Sequence, residues 1–109
     1  MFVNVNQIQI GIANFIENEI ASKATGFQKF ATYFVLQKIN GMVENYIKSL
    51  RDNEFMKDLF NSNGDVDIDA LYNMSKKAIL KSGQFTIAGV ILGETDIDKI
   101  YSCIVHASV

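Results

Sequence analysis

Between Val5 and Ala21, apolar residues recur at spacings of three and four, at Val5, Ile8, Ile12, Phe15, Ile16 and Ile20. This spacing gathers them on one face of a helix. The start of the same stretch alternates as a strand would, through Val3-Asn4-Val5-Asn6 and Ile8-Gln9-Ile10-Gly11-Ile12. The alternation slips phase at Gln7, so one strand cannot bury both halves on the same side. Helix is the preferred reading of residues 3–12, with strand as its rival. Thr25-Gly26 then marks a stop and a new start.

The pattern from Phe27 to Leu50 is again helical, and a continuous helix there would run ~36 Å. Its apolar positions do not form one straight stripe. Phe27, Phe30, Ala31 and Phe34 share a face. Ile39, Met42, Val43, Tyr46 and Leu50 share another, turned by roughly 130° at 100° per residue. The change falls just before Asn40-Gly41, a common turn dipeptide. Either the helix breaks there, or it runs through and its halves bury different faces. The continuous form is preferred, and it leaves Tyr33, Val35 and Leu36 in need of cover that a partner chain would supply. The expected interface is therefore Phe27, Phe30, Tyr33, Phe34, Val35 and Leu36. Interfaces favour Phe, Tyr and Met, and the chain holds eight, four and four of them.

Further on, Asn53 to Phe60 fits a short helix with Phe55, Met56, Leu59 and Phe60 inward, and Asn61-Ser62-Asn63-Gly64 is a loop. A strong helix follows from about Asp67 to Lys81, with Ile68, Leu71, Tyr72, Ser75, Ala78 and Ile79 on its inner face. Asp65, Asp67 and Asp69 gather at its start and Lys76, Lys77 and Lys81 toward its end, a polarity that suits the helix dipole. Gln84 to Leu92 favours strands, with Ala88-Gly89 as the turn of a hairpin that must pack on the helices. Thr95 reads as the next N-cap, with Asp98 at the third helical position of a capping box. Ile97, Ile100, Tyr101, Ile104 and Val105 form the inner face of that last helix. The expected fold is mainly α, α+β in detail: four to five helices and one short β-hairpin near residues 84–93, in a single domain over 1–109.

One segment repeats. Asp67-Ile68-Asp69-Ala70-Leu71-Tyr72 returns as Asp96-Ile97-Asp98-Lys99-Ile100-Tyr101. The unit is too short for a solenoid. It reads as one helix-start solution used twice, with aspartates at the helix N-terminus and Ile and Tyr anchoring the first turn.

Composition narrows the function classes. The 109 residues are 49% apolar and 20% charged, ordinary for one folded domain. A net charge of -2 gives no cationic field, so nucleic-acid binding is not expected. The cluster Lys76, Lys77 and Lys81 reads as a solvated helix face. A single cysteine excludes an intrachain disulfide and favours a reducing compartment. No run approaches the ~18 apolar residues of a membrane span, and the N-terminus lacks the pattern of a signal peptide. The expected location is cytoplasmic. Proline is absent, so nothing forces a helix to break.

Candidate chemistry is sparse. The stretch Asn61 to Asp69 resembles a calcium loop, but an EF-hand with its glycine at Gly64 would begin at Leu59 and close at Ala70, neither of which binds calcium. What remains is an irregular trio, Asp65, Asp67 and Asp69, weighed against an ordinary capped helix. His106 is the only histidine, and Cys103 with His106 supplies too few ligands for zinc. No phosphate-loop, dinucleotide or nucleophile-elbow spacing occurs. Neither catalytic residues nor a cofactor are expected.

The second half, through Gly64-Asp65-Val66-Asp67-Ile68-Asp69-Ala70-Leu71-Tyr72, Phe85-Thr86-Ile87 and Thr95-Asp96-Ile97-Asp98-Lys99-Ile100-Tyr101, resembles short proteins encoded by phages and prophages of Gram-positive bacteria. The resemblance implies a phage accessory gene product acting in the host cell and carries no functional residues. The expected function is a non-catalytic binding protein, a homo-oligomer that covers a host defence or regulatory protein or holds a small signalling molecule between subunits. The alternatives are a virion structural or assembly component and a small enzyme.

Overall fold

The computed structural model describes residues 1–87 and 90–109. It is mainly helical, with short antiparallel strand pairs. The rival readings of the N-terminal segment each find a place. Phe2–Val3 is a strand, β1, and Val5–Phe15 is a helix, α1. The switch falls at Asn4, whose side chain accepts from the Gln7 amide while the Gln7 side chain accepts from the Asn4 amide, both at 2.8 Å. This reciprocal cap opens the helix three residues before the phase slip. After Phe15 the helix widens into a π-helical segment, Ile16–Ala21. Its i to i+5 repeat aligns Phe15 with Ile20, and both are fully buried beside Ile16.

Gly26, at φ 54, makes the turn into α2, Phe27–Asp52. A side chain there would be strained in the left-handed region. α2 runs unbroken through Asn40-Gly41. Its length of about 39 Å at 1.5 Å per residue fills most of the 45 Å long axis. The two-faced expectation needs correction, because α2 buries one stripe only: Thr32, Ile39, Val43, Ile47 and Leu50. Gln9 of α1 ties the midpoint by donating from its side-chain amide to the Asn40 carbonyl at 3.0 Å.

A 3-10 segment, Glu54–Leu59, follows. Three residues per turn bring Met56 and Leu59 to the same side. Phe55 is thereby turned outward and is 93% exposed, against the expectation that it faces the core. The loop returns to β2, Val66–Asp67, which pairs antiparallel with β1 through Phe2 opposite Asp67 and Val3 opposite Val66. α3, Ile68–Ser82, is capped by the Asp67 carboxylate, which accepts from the Ala70 amide at 3.2 Å. Ala78 is exposed rather than on its inner face.

The expected hairpin is present as β3, Phe85–Ile87, antiparallel to β4, Val90–Leu92. Its Ala88-Gly89 turn lies outside the described residues. α4, Glu94–Ala107, starts two residues earlier than the sequence pattern indicated. The Gly93 amide donates to the Asp96 carboxylate at 2.9 Å. Asp96 therefore fills the third position, and Asp98 is released for another role.

α1 is the central helix. It packs against α4 on one side and α2 on the other, and α4 packs on α3. Contact with α4 is backbone to backbone at Gly11, where an added Cβ would sit 2.5 Å from the Ile104 Cα. α2 and the α3–α4 pair flank α1 and scarcely meet.

Candidate functional site

Two surfaces stand out, and the sequence pattern anticipates one of them. Along the N-terminal half of α2, Phe27, Phe30, Tyr33 and Phe34 are 88%, 77%, 65% and 57% exposed. The three Phe follow the i, i+3, i+7 spacing of one helix face, opposite the buried stripe. Lys38 lies over the Phe34 ring at 4.4 Å, the geometry of a cation–π contact. Val35 and Leu36, the other two expected interface residues, are half-buried and pack against the core. The structure thus brings four of the six candidates together outside and turns two inward. At 150–250 Å² per aromatic side chain, the four present roughly 600 Å² of aromatic surface. That is the upper end of what one-chain proteins leave uncovered.

The second feature is a cleft that the sequence pattern does not announce. Because α2 and the α3–α4 pair stand on either side of α1 without closing, a cavity of about 300 Å³ is left between them. Ile8 and Ile12 of α1 form its floor. Ile39, Met42, Val43, Tyr46 and Ile47 of α2 form one wall, and residues of α3 and α4 including Leu71, Ser75, Ile100 and Ile104 form the other. None of the lining side chains is charged at neutral pH. Met42 and Tyr46 are each about half exposed and so stand at the mouth. Among the described residues the hydroxyls of Tyr46 and Ser75 make no hydrogen bond. Burial raises the Tyr46 phenol above its ordinary range.

The repeated hexapeptide forms the rim. Tyr72 and Tyr101 both line the cleft, with ring centroids 4.5 Å apart. Tyr72 donates to Asp98 at 2.5 Å, and Tyr101 donates to Asp69. The last residue of each hexapeptide thus bonds the third residue of the other, a reciprocal exchange that joins α3 to α4. Each carboxylate also holds a cation. Lys76 sits 3.1 Å from Asp98 and 3.6 Å from Glu94, and the Met1 amine 2.8 Å from Asp69. The Tyr72 hydroxyl and then Lys76 hold Asp98 below the usual carboxylate range. The Met1 amine and then Tyr101 do the same for Asp69. In return the Asp69 carboxylate raises the Tyr101 phenol, and the Lys76 ammonium is stabilised by Tyr72 first and Asp98 second.

The remaining candidates have structural roles. Asp67 caps α3 and Asp69 is engaged by Tyr101, so the acidic trio reads as a helix start. Cys103 is half-buried against the core, its thiol raised by burial and then by Glu19, and His106 is exposed. Comparison with protein-family models, curated proteins and solved structures finds no match to this chain.

Proposed function

We propose that this chain is a non-catalytic binding protein that assembles with copies of itself through the outward aromatic face of α2. The observation that supports the reading is the exposure of Phe27, Phe30, Tyr33 and Phe34 on one stretch of helix. Covering these rings on two chains would bury on the order of 1,000 Å², the threshold at which a specific interface becomes stable. Aromatic anchors also carry a disproportionate share of association energy. In the phage setting that the second half resembles, the assembled form acts in the host cytoplasm. It covers a host defence or regulatory protein by contact rather than by chemistry.

Size-exclusion chromatography with light scattering tests the self-association. The expected result is a mass of at least two chains that falls toward one on dilution. The double variant Phe30→Ser/Phe34→Ser should be a single chain at all concentrations with an unchanged helical circular dichroism spectrum. A parent protein of one-chain mass up to millimolar concentration overturns the reading. Recovery of the same host protein by the parent chain, and not by the double variant, tests the partner.

A further inference from the structure

We propose that the cleft over α1 is a binding site for one uncharged aliphatic molecule of about ten to twelve carbons, such as a medium-chain alcohol. The inference is independent of the aromatic face of α2.

Size, polarity and charge each constrain the occupant. A cavity of about 150 Å³ lined by aliphatic side chains takes up benzene, with its six carbons. The 300 Å³ here is twice that, which sets the chain near twelve carbons. The lining is almost wholly carbon, so the body of the ligand must be apolar.

The head group is set by the rim. Tyr72 and Tyr101 are already committed to Asp98 and Asp69. Each of those two carboxylates also holds a cation, Lys76 or the Met1 amine, so neither cation is left to receive an anionic head. Lys76, the cation nearest Tyr72, is held by Asp98 and Glu94. The hydroxyls of Tyr46 and Ser75, on opposite walls, remain to exchange a hydrogen bond with a neutral hydroxyl. A free fatty acid, by contrast, would bring a charge for which the rim cations Lys76 and the Met1 amine, both already paired, offer no free partner.

Titration of the parent chain with straight-chain alcohols from hexanol to hexadecanol tests the site. Binding is read by calorimetry and by methyl NMR shifts of Ile8, Ile39 and Ile104. The expected result is one molecule per chain, with affinity rising roughly fourfold per methylene, as about 0.8 kcal/mol per buried CH₂ requires. The rise should level off between decanol and dodecanol, where the cleft is full. Decanoate at neutral pH should bind at least tenfold more weakly than decanol. Met42→Trp, at an exposed position on one wall, and Ser75→Phe, on the other, should each abolish binding while the helical spectrum is kept. Phe30→Ser should bind as the parent does.

Absence of saturable binding along the series overturns the proposal. So does affinity that climbs to hexadecanol without levelling, or binding unchanged in Met42→Trp and Ser75→Phe. If Phe30→Ser strengthens alcohol binding while Met42→Trp abolishes self-association, the cleft belongs to the Phe stripe of a second copy and the proposal also fails.

Discussion

At the residue scale, the repeated hexapeptide illustrates what a sequence carries and what it withholds. Its two copies are plain in the chain, and the reading as helix starts holds for Asp67, which caps α3. The second copy also lies at a helix start but three residues further in, with Asp96 at the third helical position and the cap at Gly93. What no linear pattern could show is that the copies face each other and exchange tyrosine–carboxylate bonds. Spacing along one helix fixes a direction, whereas this exchange depends on how α3 meets α4. The exchange has a definite pH signature. Asp98 and Asp69 have folded-state values below their ordinary ones. Their contribution is thus complete above the unfolded carboxylate value of about 3.9 and is lost as pH falls through the folded values. Tyr101, raised in the folded state, contributes fully below about 10 and loses its contribution as pH rises through its folded value. Carbon NMR titration of Tyr72→Phe should move the Asp98 midpoint upward toward the ordinary range and leave Asp69 in place. Midpoints equal to those of the parent at both carboxylates would remove Tyr72 as a cause.

Among the elements, α1 and α2 show where a helical period is sufficient and where it is not. The pattern places Ile8, Phe15, Ile16 and Ile20 inward, and all four are buried. For α2 the two candidate faces were visible, but a period gives angles and not distances. Hence Phe27, Phe30 and Phe34 could not be told apart from a second core face until the neighbours of α2 were placed. The cleft escaped for the same reason, since its lining residues read as ordinary core and only the spacing of α2 from α3 and α4 leaves the gap. Two glycines in helix interiors turn this distinction into a test. At Gly41 an added Cβ meets nothing within 4 Å, so Gly41→Ala should stabilise the fold by about 0.5–1 kcal/mol through helix propensity. At Gly11 the Cβ would meet Ile104 backbone at 2.5 Å, which no rotamer change relieves. Gly11→Ala should therefore cost about 1–3 kcal/mol as α4 is pushed off α1. Urea denaturation measures both. Equal effects of the two substitutions would refute the close α1–α4 contact.

For the molecule as a whole, stability is unevenly spread, and the spread follows what each helix buries. α1 is enclosed by α2 and α4, so its amides should open only with the whole fold. The C-terminal half of α2 is held by Ile39, Val43, Ile47 and Leu50. Its N-terminal half has Thr32 as its one fully buried side chain, flanked by the half-buried Val35 and Leu36, and Thr32 spends its hydroxyl on the Gln28 carbonyl of its own helix. Short helices without packing are marginal in water. Amides from about Ala31 to Leu36 should consequently exchange faster than those from Val43 to Leu50 in the dilute, single-chain state. The proposed association changes this, because covering the aromatic face adds the tertiary contact that the segment lacks. Protection at Ala31 to Leu36 should then rise with protein concentration, while protection at Val43 to Leu50, already set by the core, stays level. Hydrogen exchange by mass spectrometry at two concentrations, with Phe30→Ser/Phe34→Ser as control, separates the cases. Protection in the N-terminal half that is high and independent of concentration would mean that this helix needs no partner, and the aromatic face would lose its claim to being an interface.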